Sequence, residues 1–339
     1  MNYFNYTNRF ELEAGDHLEE LTIAYNTYGT LNEAKDNVVW ICHALTANSE
    51  VTRWWGGLVG ENCVIDPGKY FIICANILGS CYGTTGPLSI NPKTGEAYGD
   101  SFPRVTIRDM VRAHILLREH LHISSIRLLI GGSMGGYQAL EWVITESDRI
   151  QELVLLATAA AESAWGIAIH TAQRLAIEAD PTWTENSFSA GGKGLKAARA
   201  IGMLSYRNYT IFVEKQTDPD INKLDDHRAA SYINYQGDKL VERFNAFSYW
   251  LLTRSMDSHH IARGRELNTE ELLSKIQQRT LVIGISSDIL CPVIEQRFLA
   301  AHIPHSEIME IDSAYGHDGF MVEWEKIGVL LQRWLSVEN

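Results

Sequence analysis

Basic residues are the scarcer charge in this chain of 339 residues: 29 Lys and Arg stand against 42 Asp and Glu, a net charge of −13. Phosphate backbones are held by clustered cations, so a nucleic-acid partner is not expected. Long apolar runs are also missing, and none is long enough to span a bilayer, so no membrane partner is expected. The five cysteines, Cys42, Cys63, Cys74, Cys81 and Cys291, are odd in number and form no C-x-x-C pair. They read as small core residues of a reducing compartment, without a disulfide framework. Met1–Tyr6 has neither the basic nor the apolar region of a secretory leader, and a cytoplasmic protein is expected. Among 12 histidines there is no H-E-x-x-H. The one close cluster, Asp257-Ser258-His259-His260, reads as surface residues, and no metal site is expected. G-x-G-x-x-G is missing too, which argues against a dinucleotide turn.

What is present is ordinary globular material, 45% hydrophobic and 21% charged, enough to bury a core without a partner. Short apolar runs predict strands over Leu21–Tyr28, Val38–Cys42, Tyr70–Ala75, Ile126–Ile130, Leu153–Ala157, Leu281–Ile285 and Ile308–Ile311. Helical spacing falls between them at 107–120, 134–145, 293–301 and 324–337. Strands apolar on both faces, alternating with helices, predict a doubly wound, mostly parallel sheet. The alternation breaks between about 162 and 265, where several helical pieces are interrupted by Asp180-Pro181 and by Gly191-Gly192-Lys193-Gly194. The later strands need a sheet to join. The expected organisation is therefore a core in two parts, 1–161 and 266–339, with a helical insertion at 162–265.

The strongest chemical signal is Gly131-Gly132-Ser133-Met134-Gly135, a G-x-S-x-G directly after an apolar strand and before a helix. A nucleophile elbow holds its serine in a strained turn, and small residues two before and two after relieve the crowding. Ser133 is the expected nucleophile. In such a fold the acid and the histidine follow in that order at later strand ends. Asp288 follows the strand Leu281–Ile285, and His317 follows the next one. His317 is expected to take the serine proton and Asp288 to hold the imidazole tautomer. Oxyanion donors are expected from the backbone N–H of Met134 and from Leu45, in the loop after Val38–Cys42.

With Gly131–Gly136, Gln138-Ala139-Leu140-Glu141-Trp142 and His43-Ala44-Leu45-Thr46 noted, the chain resembles the homoserine O-acetyltransferase family of α/β-hydrolase-fold enzymes. Further matching stretches include Gly79–Pro87, Thr106–Val111, Ser205-Tyr206-Arg207 and Leu252–Asp257, and the likeness runs from about residue 20 onward. It implies an α/β-hydrolase fold with a helical lid, and acetyl transfer from acetyl-CoA to L-homoserine through an acetyl-serine, a step toward methionine. It also implies no resident cofactor, a homodimer, Arg199 on the homoserine carboxylate with Tyr206 assisting, and Asp318 on the ammonium.

Where that family usually continues with Gly-Asp after the His-Ala-Leu-Thr run, this chain has Ala47-Asn48. It has Trp54-Trp55-Gly56-Gly57 where an acid normally follows, Cys291 where Phe is common, and a shorter insertion. These differences leave a succinyl donor, a serine acceptor or simple ester hydrolysis as alternatives with the same triad. Because CoA is an anion and the chain is acidic, cations at the entrance, Arg53 among them, are expected to bind it.

Overall fold

The computed structural model describes residues 1–336. Its centre is one sheet of eight strands: β1 (Asn2–Tyr6), β2 (Leu21–Tyr28), β3 (Val38–Cys42), β4 (Phe71–Ala75), β5 (Ile126–Gly132), β6 (Ile150–Leu156), β7 (Arg279–Ile285) and β8 (Ser306–Ile311). Their spatial order is β1-β2-β4-β3-β5-β6-β7-β8. β2 runs antiparallel to both its neighbours, and β3 to β8 are mutually parallel.

Two-sided burial explains why the central strands are apolar over most of their length. Val38, Trp40, Cys42, Leu129, Leu153 and Leu155 point into one layer, with Met110 and Leu117 of α1 (Ile107–His120) and Leu140 and Trp142 of α2 (Met134–Thr145). Val39, Ile41, Leu128, Ile130, Val154 and Leu156 point into the other, which later receives Ile327, Leu331 and Trp334. Adjacent strand residues face opposite layers, and each layer is sealed by helices, the arrangement a parallel sheet requires. The Thr106–Val111 stretch has a structural role: Thr106 and Asp109 form a reciprocal capping box that starts α1.

Between β6 and β7 the chain forms α3 (Ala164–Glu178), α4 (Gly192–Tyr206), α5 (Tyr209–Gln216), α6 (Arg228–Val241) and α7 (Ala246–Asp257). The segment leaves and returns at adjoining points. Ala161 pairs antiparallel with His260, Glu162 N–H donates to His259 O at 2.9 Å, and Ile261 N–H donates to Ala160 O at 3.0 Å. After β7 come α8 (Val293–His302) and α9 (Trp324–Leu335). Residue 337 of the helix expected over 324–337 lies outside the described residues.

Several expectations need correction. β1 was not anticipated, because Asn2-Tyr3-Phe4-Asn5-Tyr6 mixes amides with aromatics and is largely exposed, as an edge strand can be. The Gly191–Gly194 run does more than interrupt: Gly192 and Gly194 lie in the first turn of α4, and Asp180 accepts the Gly194 N–H at 3.0 Å. The reading of His259 as a surface residue is overturned. It lies beyond the end of α7, buried, its ring stacked 4.0 Å from that of Tyr137 and its Nε2 3.2 Å from Ala159 O. Burial lowers its pKa to about 3, so it serves as a neutral core group. Only His260 of the pair is exposed.

Candidate active site

β5 delivers Ser133 and α2 carries the chain away from it. Ser133 has φ 54° and ψ −127°, a conformation that side-chain-bearing residues rarely adopt. The sharp turn is possible only because two neighbours lack side chains. A Cβ on Gly131 would lie 2.1 Å from Gly135 O, and one on Gly135 would lie 2.1 Å from Cys42 O. The second close approach also seats the loop after β3 directly beside the elbow.

β7 and β8 supply the other two residues from loops at their carboxyl ends. Ser133 Oγ lies 2.8 Å from His317 Nε2, and His317 Nδ1 lies 2.6 Å from Asp288 Oδ2. Asp288 is buried, and its Oδ1 accepts the N–H groups of Leu290 at 2.8 Å and Cys291 at 2.9 Å. These bonds orient the carboxylate so that its second oxygen meets the imidazole. Burial by itself would lower the His317 pKa. The Asp288 charge and hydrogen bond, with Asp318 and Glu162 behind them, outweigh it and raise the value above 6.5. The arrangement has the parts of nucleophilic acyl transfer: a serine, a base touching it, and an acid orienting the base.

The two expected oxyanion donors flank this serine in the chain's architecture. Met134 opens α2, where the first N–H groups have no intrahelical partner. Leu45 sits in the turn after β3. Among the described residues neither N–H is hydrogen-bonded to another group of the chain.

A cavity of about 500 Å³ opens over Ser133 and His317. Leu45, Met256, Leu290 and Phe320 give it apolar wall, while Arg199, Tyr206 and Asp318 also line it. Three exposed cations, Arg53, Lys239 and Arg243, line it as well. Arg53 is exposed and pairs with Glu50 at 3.2 Å. Arg243 donates to Thr46 O and Tyr82 Oη, both at 2.6 Å. Among the described residues no cluster of three His, Cys, Asp or Glu side chains is placed to hold a metal ion, and no helix is long and apolar enough to cross a membrane.

The profile of the α/β hydrolase fold matches residues 37–323. A homoserine O-acetyltransferase from Cyclobacterium marinum is 45% identical over 328 residues, covering 97% of this chain and 93% of its own. The crystal structure of a homoserine O-acetyltransferase from Bacillus anthracis superposes with a TM-score of 0.91 at 25% identity, covering 99% of this chain and 97% of the other. This chain belongs to the homoserine O-acetyltransferase family. An acetylester hydrolase from Corynebacterium glutamicum, at 24% identity and a TM-score of 0.86 over 99% of this chain and 96% of its own, shares the fold.

The family resemblance named three acceptor contacts, and the structure brings all three to the cavity that holds Ser133. The Arg199 guanidinium lies 5.3 Å from the Tyr206 ring centroid, and among the described residues no carboxylate lies within ion-pair distance of it. Asp318 follows His317 directly. Burial raises its pKa, only partly offset by Arg207, Arg199 and His317. Arg207 joins these residues without having been expected to: its Nε lies 3.3 Å from Asp318 Oδ2. It stood within the family stretch Ser205-Tyr206-Arg207, so a signal was present, but its pairing across 111 positions was not.

Proposed function

We propose that this homoserine O-acetyltransferase family member transfers acetyl from acetyl-CoA to the side-chain hydroxyl of L-homoserine in two half-reactions. In the first, Ser133 Oγ attacks the thioester carbonyl while His317 Nε2 takes its proton. The C–O bond forms, the C–S bond breaks, and His317 returns the proton to the departing CoA sulfur. In the second, the homoserine hydroxyl gives its proton to His317 and attacks the acetyl-serine, and Ser133 leaves with that proton. The charge that develops on the carbonyl oxygen is met by the Leu45 and Met134 N–H groups. No resident cofactor takes part.

The observation that carries the acceptor assignment is one cation and one anion, Arg199 and Asp318, lining the cavity that holds the nucleophile. A zwitterionic amino acid needs that pair, and a guanidinium can grip a carboxylate with two hydrogen bonds. Tyr206 steadies the arginine. Residues 162–265 act as a lid that keeps water from the acetyl ester, and the exposed Arg53, Lys239 and Arg243 attract the phosphates of CoA. The protein works in the cytoplasm as a homodimer, in methionine synthesis.

Acetyl-CoA alone should give a mass increase of one acetyl group on the intact protein that is absent from Ser133→Ala, and L-homoserine should discharge it as O-acetylhomoserine. Free acetate released at the same rate with and without homoserine would instead identify an ester hydrolase. Faster CoA release from succinyl-CoA, or with serine as acceptor, would reassign the substrates.

A further inference from the structure

The loop after β3 is gripped from inside by a residue to which the acyl-transfer reaction assigns no part. His43 is fully buried. Its Nε2 accepts the Ile77 N–H at 3.2 Å, so in the neutral ring the proton sits on Nδ1, which lies 2.8 Å from Ala44 O. That carbonyl belongs to the same peptide unit as the Leu45 N–H. The peptide is planar and trans, so fixing the direction of one C=O fixes the opposite direction of the N–H. A hydrogen bond accepted by the carbonyl also polarises the peptide and makes its N–H a better donor.

A second buried side chain ties this loop to the elbow. Gln138 Nε2 donates to His43 O at 3.1 Å and to Met134 O at 3.1 Å. Its Oε1 is held by His114 Nε2 at 3.0 Å, which sets the amide with its NH2 group toward the two carbonyls. One side-chain amide therefore bridges the two backbone segments that carry the Leu45 and Met134 N–H groups. Burial lowers the pKa of both His43 and His114 to about 4, so the network stays neutral and its donors keep their directions at neutral pH.

We infer that His43, braced by Gln138, is a positioning residue that aims the Leu45 N–H at the reacting carbonyl oxygen. The inference rests on the reading of Ser133 as nucleophile with Leu45 and Met134 as its oxyanion donors. Losing an oxyanion donor costs about 100- to 1,000-fold in kcat, and a misaimed donor should cost roughly 10- to 100-fold.

The test uses the full chain and two p-nitrophenyl substrates, the acetate ester and its thiono analogue, in which sulfur replaces the carbonyl oxygen. A well-aimed oxyanion site discriminates strongly against the larger, weaker acceptor. His43→Leu should lower kcat/KM on the oxygen ester, which reports acylation of Ser133, about 10- to 100-fold and should collapse the oxygen-over-sulfur preference. His43→Asn, whose amide can still donate to Ala44 O, should recover part of both. Gln138→Glu turns a carboxylate toward two carbonyls and should act in the same direction, which keeps the inference testable if His43→Leu does not fold. A fall in kcat/KM or melting temperature with the oxygen-over-sulfur preference unchanged would overturn it, as would unchanged kcat/KM. For both substrates kcat/KM depends only on attack by Ser133, because discharge of the acyl-enzyme comes after p-nitrophenolate has left. A protein that cleaves them but never acetylates homoserine would overturn the proposed function and leave this measurement valid, whereas Ser133→Ala retaining cleavage would overturn both.

Discussion

His317 Nε2 lies 2.8 Å from Ser133 Oγ although 184 positions separate the two residues. The other ring nitrogen meets Asp288 at 2.6 Å, so the imidazole is held from both sides in one tautomer. Asp288→Asn preserves size but can present a donor to Nδ1 and turn the ring to the wrong tautomer. The expected result is a loss of about 10,000-fold in kcat, read by CoA release, with near-native thermal melting.

Proton uptake by His317 should set the acid limb of the pH–rate profile. Its raised pKa means the ring stays protonated to a higher pH than an ordinary histidine. The protonated ring cannot accept the serine proton, so activity should fall as pH drops through this raised value and be full above it. Removing the nearby Asp318 charge with Asp318→Asn should move the limb toward lower pH, measured as kcat/KM on a p-nitrophenyl ester so that homoserine binding does not intervene.

Arg199 and Asp318 should matter to the second half-reaction more than to the first. A hydrogen bond to a charged group contributes about 1.5–3 kcal/mol. Arg199→Ala should therefore raise the homoserine KM roughly 10- to 100-fold. Rapid-quench measurement of the acetyl-enzyme with acetyl-CoA alone should show acylation little changed.

The exposed cations of the cavity offer a salt-dependent test. Exposed charges are screened over about 8–10 Å at physiological ionic strength, so the KM for acetyl-CoA should rise with added salt. In Lys239→Ala the KM at low salt should start higher and the slope against salt should flatten. Homoserine KM, governed by groups deeper in the cavity, should respond less.

Gly131→Ala tests the steric basis of the elbow. Its Cβ would collide with Gly135 O at 2.1 Å, and only backbone movement can relieve that. The expected loss is about 3 kcal/mol or more of stability, read by chemical denaturation, together with loss of acyl-enzyme formation.

The parts of this molecule that were readable in one dimension are those whose causes are local. The elbow is written in five consecutive residues because its requirement is steric and lies within one turn. The central strands β3, β5 and β7 announced themselves because both of their faces are buried over most of their length, and Val38–Cys42, Leu128–Ile130 and Leu281–Ile285 carry no polar side chain to blur the pattern. Edge strand β1 escaped notice for the opposite reason: exposed residues such as Asn2 and Asn5 carry no such pattern. His259 was misread because adjacent histidines suggest solvent, whereas its environment is the Tyr137 ring, contributed by another part of the chain.

The α/β class, the elbow at Ser133 and the chain order of Ser133, Asp288 and His317 were legible before folding was considered, since these depend on local sterics and on which residues end a strand. Folding alone brings Arg207 to Asp318 and lets His43 and Gln138 clamp the Leu45 loop to the elbow. Those contacts join residues that are far apart in sequence or depend on where buried hydrogen bonds close. Their geometry is set by the register of parallel strands and by the layers packed on them, quantities to which no single stretch of chain has access.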